Sequence, residues 1–402
     1  MKAAILLIGT ELLNGLTLDT NSIYISEELN KIGIEVKYKL LVRDFVNEIL
    51  DALNFLENKV DLIIASGGLG PTDDDVTKEA ISRYFNEEFI VEQKDIEIFE
   101  NKKKKYNFNL ILNNYKEISK PLNSITFEND FGMAPAIYFK NIVLFPGVPR
   151  ELKNMFPKFL EYYKSEQKLN DEIYIKDILT YGLGESTLEN TVKDLFDDEN
   201  IFYEFLVKDY ATIIRMQTVL SEKKSVEKIK RKLYNRIHDY IFGEDDDRLE
   251  NIIFKKLYTN NLTLSVAESC TGGKISSKLV SLPGISKVFK EGIVTYSNES
   301  KIDKLFVKKE TLIAYGAVSE EVAREMVLGL KTDVGISTTG IAGPDGGTED
   351  KPIGLVYVGI KIKNKVKIYK KIINGNRETV RERASIYALF MLLKNLKEEY
   401  DL

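Results

Sequence analysis

The sequence predicts an α/β protein: two three-layer α/β domains with largely parallel sheets, joined by a small α+β domain of βαββαβ order, KH-like in its succession of elements. Three observations predict it. The runs Ala3–Ile8, Val60–Ala65 and Ile142–Phe145 are apolar throughout, as strands covered on both faces of a sheet are. They alternate with stretches of helical period, such as Asn21–Ile32 with Ile23, Ile25, Leu29 and Ile32 on one side. Glycine- and proline-rich loops, Ser-Gly-Gly-Leu-Gly-Pro and Pro-Gly-Val-Pro, follow the strand ends, which is the edge where parallel sheets bind ligands.

A chain of 402 residues exceeds one domain of ordinary size. Residues 1–166 carry the first alternation. From 167 to 244 the pattern changes: Glu172–Leu179 alternates as a strand, Glu185–Leu195 is helical, and Phe202–Val207 with Thr212–Val219 form an antiparallel pair. Helix Val226–Ile237 and a short strand Tyr240–Phe242 close that segment. Asp245, Asp246 and Asp247 mark a polar hinge and the start of a helix. From 245 to 402 the alternation resumes. Helix Leu249–Tyr258 leads to strand Thr263–Ala267, then Ser-Cys-Thr-Gly-Gly opens helix Lys274–Leu282. Strand Gly292–Tyr296 follows, and Ser319 before Glu320 and Glu321 reads as a capped helix start. Strand Val334–Thr338 runs into Gly-Ile-Ala-Gly-Pro-Asp-Gly-Gly. Strands Gly354–Ile360 and Val366–Ile373 precede a terminal helix from Arg377.

Composition narrows the chemistry. A net charge of −5 with 44% hydrophobic residues describes a protein that is not globally basic, so nucleic acid is disfavoured as a partner. The run Lys102–Lys105 reads as a solvated helix face. No apolar stretch approaches the roughly 20 residues of a membrane helix, and the apolar N-terminus breaks at Gly9-Thr10-Glu11, unlike a signal peptide. A single cysteine, Cys270, permits no intrachain disulfide and fits a reducing, cytoplasmic setting. The single histidine, His238, lies in a polar segment. Serine–histidine–acid triads and multi-histidine metal sites are thereby nearly excluded by counting. A hydrolase in this chain must take its base from lysine, tyrosine or carboxylate.

Ser269, Cys270 and Thr271 sit in the turn from a strand to a helix, beside free N–H groups and a positive helix end. That placement suits a nucleophile with an oxyanion hole, a phosphate cradle, or simply a helix-capping serine. Gly272 and Gly273 allow a ligand close to the backbone. Tyr296 ends a strand, with Lys301 five residues on; a lysine beside an exposed serine acts as base when desolvation lowers its pKa. Its bland reading is an exposed helix lysine. Thr339 and the glycines of the loop Gly340–Gly347 offer a second anion-holding turn. Arg377 opens a helix, an unfavourable place for a cation unless it faces an anion. Cys270 is the rival nucleophile, or a small buried residue.

The motifs AESCTGG, TYSN-x-x-K, GAVSEEVA, TGIAGPDGG-x-x-x-KP-x-G and G-x-R-x-x-x-R resemble, in order over about 150 residues, the C-terminal domain of the CinA (competence/damage-inducible) family. The resemblance implies a metal-free, cofactor-free amidase that converts nicotinamide mononucleotide to nicotinate mononucleotide and ammonia. It places the nucleophile on Ser269 and the base on Lys301, with Tyr296 and Thr339 assisting. Thr271, Gly272, Gly273, Gly340, Gly343 and Arg377 then fall on the substrate. GTELLNG-x-x-x-DTN, ASGGLGPTDDDVT and FPGVPREL resemble the molybdopterin-binding domain of MoaB- and MogA-type proteins as fused in that family. This implies a nucleotide site of Glu11, Asn21, Gly67, Gly68, Gly70, Thr72, Pro146 and Gly147. It also implies ADP-ribose pyrophosphatase activity with a divalent metal (Mg, Mn or Co type) on Asp74 and Asp75; the residue-level alternative for Asp73–Asp75 is a cap for the next helix. One departure is Gly132-Met133-Ala134-Pro135-Ala136, where family members often have GTAPG. The resemblance further implies a homodimer acting in pyridine-nucleotide salvage. Two other readings stand beside it: an N-terminal pterin or nucleotide sensor without catalysis, and a DNA-uptake or recombination partner, which the acidic charge and the missing Gly-x-x-Gly clamp weaken.

Overall fold

A computed structural model describes residues 1–106, 115–169, 173–197 and 201–400. They form two compact units, Met1–Tyr174 with Val219–Ser221, and Ile175–Thr218 with Glu222–Leu402. The chain is a mixed α/β protein throughout.

The first unit is built on β1 (Lys2–Ile8), β2 (Glu35–Val42), β3 (Leu62–Ser66), β4 (Phe89–Ile90), β5 (Lys120–Pro121), β6 (Ile125–Phe127), β7 (Ala136–Phe139) and β8 (Ile142–Phe145). Its six-stranded sheet runs β2-β1-β3-β8-β7-β6, and β4 pairs with β5 apart from it. The first four strands are parallel; β8-β7-β6 are antiparallel. β1 is apolar throughout because it is covered on both sides. Ala3, Ile5 and Leu7 face a core shared with helices Asn21–Lys31 and Pro149–Gln167, while Ala4, Leu6 and Ile8 face one shared with helices Val46–Leu56 and Thr77–Phe85. The run Lys102–Lys105 lies on helix Gln93–Tyr106. Lys102 there is tied to the Asn129 carbonyl at 2.7 Å and to Glu128 at 3.4 Å.

The second unit holds most of β9 (Ile173–Thr180), all of β10 (Phe202–Lys208), most of β11 (Ala211–Val219) and all of β12 (Ile241–Glu244), ordered β10-β11-β9-β12, with helices Glu185–Val192 and Lys223–Ile237. The chain order is βαββαβ; Glu172, where the sequence starts the first of these strands, lies outside the described residues. A five-stranded sheet follows, β14-β13-β15-β16-β17, from β13 (Leu264–Glu268), β14 (Phe289–Val294), β15 (Val334–Gly340), β16 (Leu355–Ile362) and β17 (Lys365–Ile372). β14, β13 and β15 are parallel, whereas β16 and β17 return antiparallel. The reason is connection length. Only Lys363 and Asn364 separate β16 from β17, enough for a hairpin and far short of a crossover helix. Both sheets are therefore parallel where their loops build sites and antiparallel at one edge. Leu179, Ala211, Ile213 and Phe242 of the four-stranded sheet enter the same hydrophobic core as Val266, Ile336, Val358 and the terminal helix Arg377–Tyr400.

Candidate active site

β13 delivers Ser269 to the carboxyl edge of the five-stranded sheet, between β14 and β15. The turn that follows needs left-handed backbone at Gly272 (φ +57°) and Gly273 (φ +93°), which glycine adopts without penalty. Ser269 does not cap the helix it precedes. Glu268 does: its buried carboxylate accepts from the N–H groups of Gly273 (2.9 Å), Ile275 (3.2 Å) and Ser276 (2.9 Å), and from the Ser276 hydroxyl at 2.7 Å. A carboxylate at the positive helix end satisfies the orphan donors of the first turn, so these donors are not offered to a ligand. Gly272 N–H bonds to the Ser269 carbonyl at 3.2 Å. Among the described residues no oxygen accepts from the N–H groups of Cys270 or Thr271; Thr271 is fully buried, so of the two only Cys270 borders solvent. Replacing Glu268 by alanine is expected to lower unfolding stability by about 2–3 kcal/mol, since one buried and two part-buried N–H groups lose a charged acceptor; chemical denaturation measures it.

Lys301 comes from helix Asn298–Leu305 and is 1% exposed. Its Nζ lies 3.2 Å from Ser269 Oγ, 2.8 Å from the Thr295 carbonyl and 3.3 Å from the Tyr296 carbonyl. Burial pushes its pKa down from the ordinary lysine value, with Cys270 and Glu299 pulling weakly the other way. The neutral amine has two N–H groups and one lone pair. When charged, the group donates to both carbonyls and to Ser269 Oγ; when neutral, it keeps the two carbonyls and turns its lone pair to the serine hydroxyl.

The remaining residues fall into three arrangements. Tyr296 supplies Lys301 with its carbonyl, not its phenol; the phenol is 64% exposed and accepts from Arg377 at 2.9 Å. Arg377 also donates to the Gly343 carbonyl at 2.7 Å, tying the Tyr296 loop to the Gly340–Gly343 loop. Thr339 is buried and donates to the Ala317 carbonyl at 2.7 Å, while the Thr271 hydroxyl meets that of Thr338 at 2.8 Å. Gly340 packs against Cys270, where a Cβ would lie 3.1 Å from Sγ. Cys270 belongs to the hydrophobic core, and burial pushes its thiol up to about 12. A thiol so placed is inert. Arg381, the second arginine of G-x-R-x-x-x-R, was not singled out in the sequence. It reaches the Ser269–Gly273 turn, 3.4 Å from the Thr271 carbonyl and beside Gly272.

The first unit has an open cleft of 530 Å³ at the carboxyl ends of β1, β3 and β8. Glu11, Gly67, Gly68, Gly70, Asp74, Asp75, Pro146 and Gly147 line it; Thr72 and Asn21 do not. Gly67 could bear no side chain, since a Cβ would sit 1.9 Å from the Ile8 carbonyl oxygen. Asn21 ties two motifs together, donating to Ser66 Oγ (3.1 Å) and to the Gly147 carbonyl (2.8 Å). Its own Oδ1 is buried without a partner, and it lines an adjoining 90 Å³ pocket with Glu11 and Gly147. Helix Thr77–Phe85 receives no side-chain cap, so the acidic triplet is not its cap. Asp75 instead folds back to accept from Thr72 N–H (3.0 Å) and Thr72 Oγ1 (2.5 Å). Met133 and Ala134, of the divergent segment, line the cleft as well.

Sequence reasoning missed Asp44, Glu117 and Glu151, which bring further carboxylates to this lining from distant positions. It missed Lys78 too. That lysine is buried, its Nζ donating to the carbonyls of Lys116 (2.7 Å), Glu117 (2.7 Å) and Ser119 (2.9 Å), and burial pushes its pKa down to about 7. It fixes the segment that brings Glu117 to the cleft. Among the described residues no three His, Cys, Asp or Glu side chains converge to hold a metal ion. Asp74 and Asp75, the pair that would hold a divalent ion, both line this cleft, beside Glu11 and Asp44. Nor, among the described residues, is any helix long and apolar enough to cross a membrane.

Fold and site together define a two-unit α/β protein with a desolvated serine–lysine pair at one sheet edge and an acidic cleft at another. The CinA C-terminal domain matches residues 246–396, and the probable molybdopterin binding domain matches residues 4–165. A CinA-like protein of Fusobacterium nucleatum is 60% identical over 401 residues, covering 99% of this chain and 100% of that one. A competence-damage inducible protein of Clostridium perfringens is 41% identical over 412 residues, again covering 99% and 100%. The crystal structure of competence damage-inducible protein A from Klebsiella pneumoniae matches 37% of this chain and 94% of its own, at 33% identity and a TM-score of 0.36. The chain belongs to the CinA family.

Proposed function

We propose that the second unit hydrolyses the carboxamide of nicotinamide mononucleotide, with Ser269 as nucleophile and Lys301 as base. The observation that carries the reading is the 3.2 Å separation of Lys301 Nζ and Ser269 Oγ, with the lysine buried and its pKa depressed. Neutral Lys301 accepts the hydroxyl proton as Ser269 Oγ bonds to the carboxamide carbon. The N–H of Cys270, in the turn after Ser269, holds the oxyanion. As the C–N bond breaks, Lys301 returns the proton to the nitrogen and ammonia leaves. Water then attacks the ester, giving its proton to Lys301, and nicotinate mononucleotide departs with Ser269 restored. Arg381 and Arg377 place cations beside the nucleophile turn and the Gly343 loop, where the ribose phosphate is accommodated. The phenol of Tyr296 has no place in this proton path. Ammonia release from nicotinamide mononucleotide by the folded protein tests the reading; none at all would end it.

The choice of this amide among others rests on family membership. We propose further that the cleft of the first unit takes ADP-ribose, yielding AMP and ribose 5-phosphate. The gathering of all three N-terminal motifs around one opening supports it. Asp75→Asn leaves Thr72 N–H facing an uncharged oxygen and loosens the turn after Gly70. AMP formation, assayed with magnesium present, is expected to fall about tenfold, the order of a lost charge-assisted hydrogen bond. An unchanged rate would reduce Asp75 to a loop residue.

A further inference from the structure

We infer that the second unit carries another ligand site, separate from Ser269, which takes a small molecule of the aromatic carboxylate class: a flat apolar body with one anionic group. It is a cavity of 370 Å³ between the turn His238–Tyr240 with β12 and the last turns of the terminal helix. None of its lining residues belongs to the serine–lysine site.

The floor is apolar and fixed. Ile241, Phe242, Phe390 and Leu393 are each under 9% exposed, and Phe242, Phe390 and Leu393 belong to the hydrophobic core of the unit. Two aromatic side chains on a rigid floor suit a planar ring, and the volume is within the range of ligand pockets. The charge on the walls selects the second half of the ligand. Lys397 donates to the Ile241 carbonyl at 3.1 Å, and Glu398 is paired with Lys367 at 2.6 Å. The Tyr234 hydroxyl donates to Glu244 at 2.8 Å. Asp239 is 60% exposed beside His238, so its charge is solvated. Lys394 differs. It is half-buried at the cavity wall and makes no hydrogen bond or ion pair among the described residues. An ammonium part-way out of water and unpaired favours an anion beside it.

The test uses the full chain and 2-naphthoate as probe, with 2-naphthylmethanol as the uncharged control, followed by titration calorimetry. The expected dissociation constant is on the order of 0.1–1 mM, the range ligand efficiency allows for a compact ligand. Lys394→Glu should weaken 2-naphthoate about tenfold or more and leave the alcohol unchanged. Leu393→Trp, which fills the floor, should abolish both. Should that variant fail to fold, Lys394→Glu carries the test alone. No heat of binding at millimolar probe, or binding that Lys394→Glu leaves unchanged, would overturn the site. Equal affinity for acid and alcohol would overturn the carboxylate assignment. Because binding is read directly, the outcome does not depend on whether the Ser269 site turns over.

Discussion

Ser269→Ala is expected to lower ammonia release from nicotinamide mononucleotide by at least about 10³-fold, while Cys270→Ala keeps most of the wild-type rate. The size follows from covalent catalysis: removing a nucleophile disables the unit of nucleophile and base together. The contrast between neighbours follows from geometry. Ser269 Oγ faces Lys301, whereas the Cys270 thiol lies in the hydrophobic core with its pKa pushed up to about 12. Cys270→Ala leaves a small cavity and costs stability, so its thermal midpoint should fall while its rate per folded molecule holds. The reverse pattern, an active Ser269→Ala and a dead Cys270→Ala, would reassign the nucleophile.

Lys301→Met is expected to cost about 10²–10⁴-fold, the range for a general base, and the pH dependence of the wild type should name the same group. Lys301 works only when neutral. Because burial lowers its pKa, the rate should rise with pH and level off below the pH at which an exposed lysine loses its proton. Lys301→Arg, always charged and longer, should not restore the rate. Burial also ties this lysine to stability. Its folded pKa lies below the unfolded value, so between the two the unfolded chain binds the extra proton, and stability gains as pH rises through that interval. Lys301→Met should remove that gain. A rate flat in pH, or one that falls as pH rises, would contradict Lys301 as base.

The pairing of Ser269 with Lys301 was readable because the motifs carry Ser269 in one strand-to-helix turn and Lys301 on the helix that follows another, and a parallel sheet brings such turns to one edge. What each atom does was not. Tyr296 acts on Lys301 through a carbonyl that any residue possesses, and its phenol turns to Arg377. Arg377, a cation at a helix start, is balanced by the Gly343 carbonyl and that phenol instead of an anion. Glu268 was hidden at the end of an apolar strand, although it caps the next helix and so frees Ser269 from doing so. In the first unit, Asp75 had two readings, metal ligand or helix cap. The cap reading fails, since helix Thr77–Phe85 takes no side-chain cap; Asp75 instead makes the local turn onto Thr72 that Asp forms in competition with capping. Asp44, Glu117 and Glu151 escaped notice because only the sheet order, and in Glu117's case the Lys78 clasp, carries them to the cleft. The antiparallel edges were implied by two-residue connections that the alternation of strands and helices overshadowed.

The central claim is that Ser269 forms an ester with the nicotinate carbonyl while Lys301 handles its proton. Acid-quenching the wild-type protein during turnover of nicotinamide mononucleotide, then measuring the mass of the peptide that contains Ser269, tests it directly. The expected peptide is heavier by nicotinamide mononucleotide less one ammonia, with the modification on Ser269 and absent from Ser269→Ala. The same mass on Cys270, or an adduct that persists in Ser269→Ala, would contradict it.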